Sequence, residues 1–167
     1  MSNTENRVIT PLFDADANAQ SIAATLNTQR QSFIDDGYPT LKTRIHRLDR
    51  LIDLLRVNKQ RFSDALRADY RARSHFYSVV FDVLVTIESL KYLRKNTANW
   101  MKKESRGAKF PLNLLGADAH VFYQPLGVVG IVSPWNFPVQ LTFSPLGNAI
   151  SAGNRAMIKP SELTPET

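Results

Sequence analysis

The sequence has no cysteine among its 167 residues. That removes disulfides, cysteine–zinc sites, iron–sulfur ligation and any thiol nucleophile carried by these residues themselves. Neither GxGxxG nor GxxxxGK(S/T) occurs, so the two usual phosphate loops are absent. No apolar run approaches the roughly 18 residues of a membrane span, and the longest, about Leu126 to Val132, is far shorter. The start, Met1 to Phe13, is polar and lacks the apolar core of a signal peptide. These absences predict a soluble, cytoplasmic chain with no metal site and no membrane partner. Seven glycines, nine prolines and 22% charged residues are ordinary values that exclude collagen-like and low-complexity classes.

What is present first is charge. The formal net charge is +6 and the pI about 9.8, which raises nucleic acid as a partner. The excess sits in residues 40–73, with ten basic and four acidic side chains, and in 91–109, with seven and one. In the first segment Leu41, Ile45, Leu48, Ile52, Leu55, Phe62 and Leu66 form a stripe at helical spacing. Lys42, Arg47, Arg50, Arg56 and Arg61 fall mainly off it, as on a solvated helix face. No zinc-finger spacing, basic zipper or glycine-aromatic RNA-binding pattern accompanies them, so no nucleic-acid partner is expected.

Along the chain, residues 1–15 read as a flexible arm and 16–103 as a helical part. The spacing predicts helices over Asp16–Asp35, with Ile22, Leu26, Phe33 and Ile34 turned inward, Leu41–Asn58 with Thr40 as its cap, and Lys59–Tyr70. It also predicts one long helix over Phe76–Lys103, whose inner stripe is Val79, Val80, Val83, Leu84, Ile87 and Leu90. Residues 104–125 read as a linker followed by a strand over Ala119–Tyr123. Residues 126–167 then read as a βαβ unit. Gly127–Val132 is a strand buried on both faces, Pro138–Ala152 a helix, and Arg155–Lys159 a second buried strand. The fold class is α/β, with amino-terminal helices followed by the start of a Rossmann-like parallel sheet. Two parallel strands leave edges and a face open, so the sequence reads as cut short at Thr167 and poorly soluble by itself.

Three stretches carry candidate chemistry. Ser133-Pro134-Trp135-Asn136-Phe137-Pro138 follows the first strand, where a loop presents side chains to a cleft. Asn136 there is either a turn or capping residue or a rigidly placed amide donor for a developing oxyanion. Ala152-Gly153-Asn154 reads as a helix C-cap. Lys159-Pro160-Ser161-Glu162 follows the second strand, and Lys159 with Glu162 either holds ribose hydroxyls or forms an ion pair.

Taken together, GVVGIV, PWNFP, AGN and KPSE, in that order, closely resemble the aldehyde dehydrogenase superfamily. The upstream part, from Arg30 through Trp100-Met101-Lys102-Lys103 to Val121–Gly127, resembles the branch with fatty-aldehyde and coniferyl aldehyde dehydrogenases. Gly116–Pro125 leans to the coniferyl type. The resemblance covers about residues 20–167 and implies an incomplete aldehyde dehydrogenase fold, with 126–167 the first βαβ unit of a cofactor domain.

It implies a family reaction in which a cysteine attacks the aldehyde, hydride passes to a nicotinamide, and water activated by a glutamate releases the acid. Asn136 would be the oxyanion stabiliser. Ser133, Pro134 and Trp135 would line the cofactor groove, and Lys159, Ser161 and Glu162 would meet the adenosine ribose. A carboxylate near the ribose 2′-hydroxyl favours NAD, and neighbouring Lys159 leaves NADP open. The nucleophile and general base lie downstream in the family, so the chain by itself is expected to be inactive. The full-length enzyme would take an aldehyde, possess a cytoplasmic location, and form a homodimer through the 104–125 region. The competing readings are a non-catalytic basic helical binding module and a degenerate product without a stable fold.

Overall fold

The computed structural model describes residues 15–167, with side chains from residue 18, and the arm expected over 1–15 lies almost wholly outside them. Helix α1 runs Ala15–Asp36, α2 Leu41–Val57 and α3 Lys59–Tyr70. Thr40 caps α2 by accepting from the Thr43 N–H at 3.2 Å, as its position before the apolar stripe implied. Of the stripe of α2 and α3, Leu48, Ile52, Leu55 and Leu66 enter the core with Leu51 beside them, while Leu41, at the first turn of α2, is exposed, as are Lys42, Arg50, Arg56 and Arg61. In α1, by contrast, Ile22 and Ile34 are exposed, while Phe33 lies against Gly127.

The helix expected over Phe76–Lys103 is divided. A single turn, α4 (His75–Tyr77), leads into a π-helical stretch, Ser78–Leu84, and then into α5, Val85–Trp100. The face it buries also differs. Leu84 is exposed, whereas Ser78, Asp82 and Thr86 are fully buried beside Val83, Ile87, Leu90 and Leu93. Apolar spacing gives no warning of this polar row, because polar groups go inside only where a tertiary partner receives them.

The segment read as a linker holds structure. Strands β1 (Glu104–Gly107) and β2 (Asp118–Val121) pair antiparallel, Glu104 opposite Val121 and Gly107 opposite Asp118. Beyond them β3 (Val128–Val132) and β4 (Arg155–Lys159) pair in parallel, Val128 opposite Arg155 and Val132 opposite Lys159. Helix α6, Pro138–Ser151, makes the crossover with Pro138 in its first turn. Neither strand is buried on both faces: Ile131 is buried, but Val132 and Ile158 are exposed. The reason is topological. Among the described residues no other strand pairs with β3 or β4, so the apolar run has fewer neighbours than its composition suits.

The core lies between α2, α5 and α6, with Phe62, Phe143, Leu146 and Ile150 packed at its margin. Helix α6 approaches α5 at Gly147. A Cβ there would stand 2.2 Å from Leu90 Cδ2 and 3.0 Å from Leu93 Cδ1. Exchanging a helical glycine for alanine ordinarily adds about 1 kcal/mol of helix stability. Overpacking against these buried leucines outweighs it, at about 1–3 kcal/mol. Gly147→Ala is therefore expected to lower the denaturant midpoint. Made in a Leu90→Ala background, where the clashing methyl is gone, the same exchange is expected to be neutral or stabilising.

Candidate active site

The chemistry-bearing loops stand side by side. Because β3 and β4 are parallel and in register, both carboxyl ends finish at one edge, and the Ser133 N–H donates to the Lys159 carbonyl at 2.9 Å. The start of Ser133–Phe137 is thus joined directly to the start of Lys159–Glu162. Open sheets of this type place ligands outside the carboxyl ends of their strands.

Ser133 is buried, and its hydroxyl lies 2.5 Å from Thr142 Oγ1 and 3.3 Å from the Pro138 carbonyl. Its side chain shapes the loop from within rather than facing outward. Pro134, Trp135 and Asn136 are exposed, Trp135 with 52% of its surface open. At the second loop, Lys159 and Glu162 are exposed, Ser161 is half-buried, and its Oγ accepts from the Leu163 N–H at 3.2 Å. Lys159 donates to the Glu162 carboxylate, which that hydrogen bond, with the lysine charge, holds below the usual carboxylate range. Of the two readings of this pair, the ion pair is the arrangement seen, and an exposed pair of this kind is weak.

Further residues hold this edge in place, among them Asn154 and Gly153 of the stretch read as a helix C-cap and Arg44, which sequence reasoning passed over. Asn154 closes more than a helix end. Its buried Oδ1 accepts from the Leu126 N–H at 2.7 Å and the Gly127 N–H at 3.0 Å, tying the exit of α6 to the entry of β3. Arg44 is buried and donates from Nε to the Pro39 carbonyl and from Nη1 to the Ser151 carbonyl, each at 3.0 Å. Burial lowers its pKa. Gly153 has φ +90°, and a Cβ there would meet the Arg44 guanidinium at 2.7 Å, so the position needs glycine on both counts.

At the other end of α6, Asp82 is wholly buried. It accepts from Arg73 Nη2 at 2.7 Å on one oxygen and from the Gln140 N–H at 2.9 Å on the other. Burial raises its pKa, and the Gln140 N–H and Arg73 oppose that rise without cancelling it. The signal for these residues was faint. Asp82 is the one charged residue in VVFDVLVTI, which sets it apart without showing that it is buried or which group it meets.

Among the described residues no group of three or more histidine, aspartate and glutamate side chains is placed to hold a metal. A cleft of about 670 Å³ lies elsewhere, lined by the ends of α5 and α6 with Trp100, Lys103 and Tyr123.

A parallel strand pair crossed by one helix, with polar loops at both carboxyl ends, is the βαβ unit of open α/β sheets. The family is narrower than that class. The aldehyde dehydrogenase family model matches residues 10–167, and the chain belongs to that family. It is 43% identical over 153 residues to a coniferyl aldehyde dehydrogenase of a Pseudomonas species, an alignment covering 92% of this chain and 31% of that protein. Among solved structures it is similar to Staphylococcus aureus AldH in a substrate-bound state, with a TM-score of 0.79, 31% identity, and coverage of 87% of this chain and 31% of that one. An aldehyde dehydrogenase of Bacillus cereus in an NAD⁺ complex shares the fold at a TM-score of 0.74 and 23% identity, over 87% of this chain and 29% of that one. The chain spans about a third of the length of these relatives.

The Lys159–Glu162 contact has a direct consequence. Removing the ammonium in Lys159→Met is expected to raise the Glu162 titration midpoint towards the ordinary glutamate value, read from its side-chain carboxyl carbon by NMR. In the parent chain the depressed folded value means that the pair contributes fully above the unfolded pKa. The contribution fades as pH falls through the folded one.

Proposed function

We propose that this chain supplies the oxyanion donor and the adenosine-ribose contacts of an NAD-dependent aldehyde dehydrogenase whose substrate is a coniferyl-type aldehyde. The observation that carries the proposal is the joining of the two loops across the strand ends, Ser133 N–H to Lys159 carbonyl. It sets the Asn136 loop and the Glu162 carboxylate on one edge of one sheet, in a chain 43% identical to a coniferyl aldehyde dehydrogenase.

The residues fit the cofactor. Glu162 is exposed and held ionised, so it offers two acceptor oxygens to paired ribose hydroxyls. Lys159 offers a donor beside it, and Ser161 a hydroxyl. Exposed Pro134 and Trp135 give the cofactor an apolar wall, with Ser133 holding that wall's shape from inside. When bound, the nicotinamide supplies a hydride acceptor. A carboxylate at the ribose also repels a 2′-phosphate, which favours NAD over NADP.

Asn136 donates its side-chain N–H to the aldehyde oxygen as negative charge gathers there. A neutral amide suits this role, because it stabilises the oxyanion without a proton of its own to lose. The thiol that attacks the carbonyl is not among these 167 residues, which contain no cysteine. In the same reading the enzyme is a homodimer paired through the β1–β2 ribbon.

An antibody against residues 40–73 captures the protein from its native source for assay with coniferyl aldehyde and NAD. The captured enzyme is expected to reduce NAD in an aldehyde-dependent way. Asn136→Ala in that polypeptide is expected to lower kcat about 10²–10³-fold. Purified residues 1–167 alone are expected to give no turnover. Turnover by those residues, or an unaltered kcat in Asn136→Ala, overturns the proposal.

A further inference from the structure

Among the described residues no group hydrogen-bonds the exposed side chain of Asn136, yet an oxyanion donor must be held to a fraction of an ångström. Its backbone is tethered instead. Arg73 Nη1 donates to the Asn136 carbonyl at 3.3 Å, while Nη2 of the same guanidinium donates to Asp82 at 2.7 Å. The second Asp82 oxygen accepts from the Gln140 N–H at 2.9 Å. One ion pair therefore grips the loop at Asn136 and again four residues later, in the first turn of α6.

The guanidinium is itself boxed in. Its Cζ lies 4.9 Å from the Tyr70 ring centre, 5.1 Å from Tyr77 and 5.2 Å from Phe137, a residue of the loop. Its side chain is 8% exposed and that of Asp82 not at all. A buried ion pair is a weak device for stability, because desolvating both charges offsets their attraction, but it fixes geometry. Arg73 Nε, moreover, is buried with no partner among the described residues, so the site is not arranged for the greatest number of hydrogen bonds.

We propose that Arg73 and Asp82 are the positioning pair of the active-site loop, setting the direction of the Asn136 amide through its backbone. This rests on the function proposed for Asn136. Only the planar fork of arginine reaches two acceptors in fixed directions, so lysine retains the charge opposite Asp82 but not the second grip.

The test is a double-mutant cycle in the native polypeptide carrying these residues, with coniferyl aldehyde and NAD. Arg73→Lys is expected to lower kcat about 10- to 100-fold, the effect of a small misplacement, with the KM for NAD unchanged. In an Asn136→Ala background the same exchange is expected to lower kcat by no more than about twofold, because its target is gone. An equal fold-loss in both backgrounds makes the pair merely structural and overturns the proposal.

If Asn136→Ala leaves kcat intact, the function assigned to Asn136 fails, and the pair is judged by amide hydrogen exchange in the 167-residue chain. Faster exchange in Arg73→Lys confined to Val139 and Gln140, whose amides donate to Asp82, with the amides of Leu48, Leu55 and Leu90 unaltered, supports positioning. Unaltered exchange throughout, or a uniform acceleration that includes the core, overturns it.

Discussion

Helix α6 must lie flat against α5 while joining two parallel strands, and the rest of the structure depends on that contact. A parallel pair cannot be closed by a tight turn. Its crossover helix needs a surface to lie on, and here that surface is the Leu90–Leu93 ridge, met at Gly147 where no side chain intervenes. Once the helix is seated, its two ends fall where the strands require them. Its amino terminus stands over the loop leaving β3, and its carboxyl terminus delivers Asn154 to the backbone entering β3. Displacing α6 would pull apart the strand register and both loops together.

Both ends are secured by polar groups that the apolar core surrounds. Arg44 and Thr97 meet Ser151 at the carboxyl end, the two hydroxyls 2.8 Å apart. Asp82 receives the Gln140 N–H at the amino end. Arg44 and Asp82 each satisfy a backbone group of a helix terminus that would otherwise be buried with open hydrogen-bonding groups. The π-helical stretch Ser78–Leu84 belongs to the same arrangement, since it carries Asp82 on the face turned towards α6. Such widened turns recur at functional sites, where a side chain must emerge at an angle that a regular helix does not give.

These anchors hold the backbone beneath two loops whose polar side chains are exposed. Trp135, Asn136, Lys159 and Glu162 face solvent, and what places them is the backbone beneath them. That backbone is fixed by parallel register, the Ser133–Lys159 hydrogen bond and the inward Ser133 hydroxyl. Family membership fits this division, with a scaffold of packed helices carrying loops at the strand ends.

Much of the architecture was legible in the sequence by itself. Helical spacing marked α1, α2 and α3, Thr40 marked a helix start, and the change from helical to β-branched runs marked the βαβ unit. These signals are local, arising from side-chain periodicity and capping within a few residues. PWNFP and KPSE were also legible, as loops after strands.

What the sequence withheld is what depends on a partner far along the chain. Nothing local distinguishes buried Arg44 from exposed Lys42, or tells that Asn154 holds Gly127. Nor does it show that Asp82 faces Arg73 and Gln140, or that Leu84 faces outward. A buried polar residue is stabilised only by the group it meets, and tertiary packing alone decides which group that is.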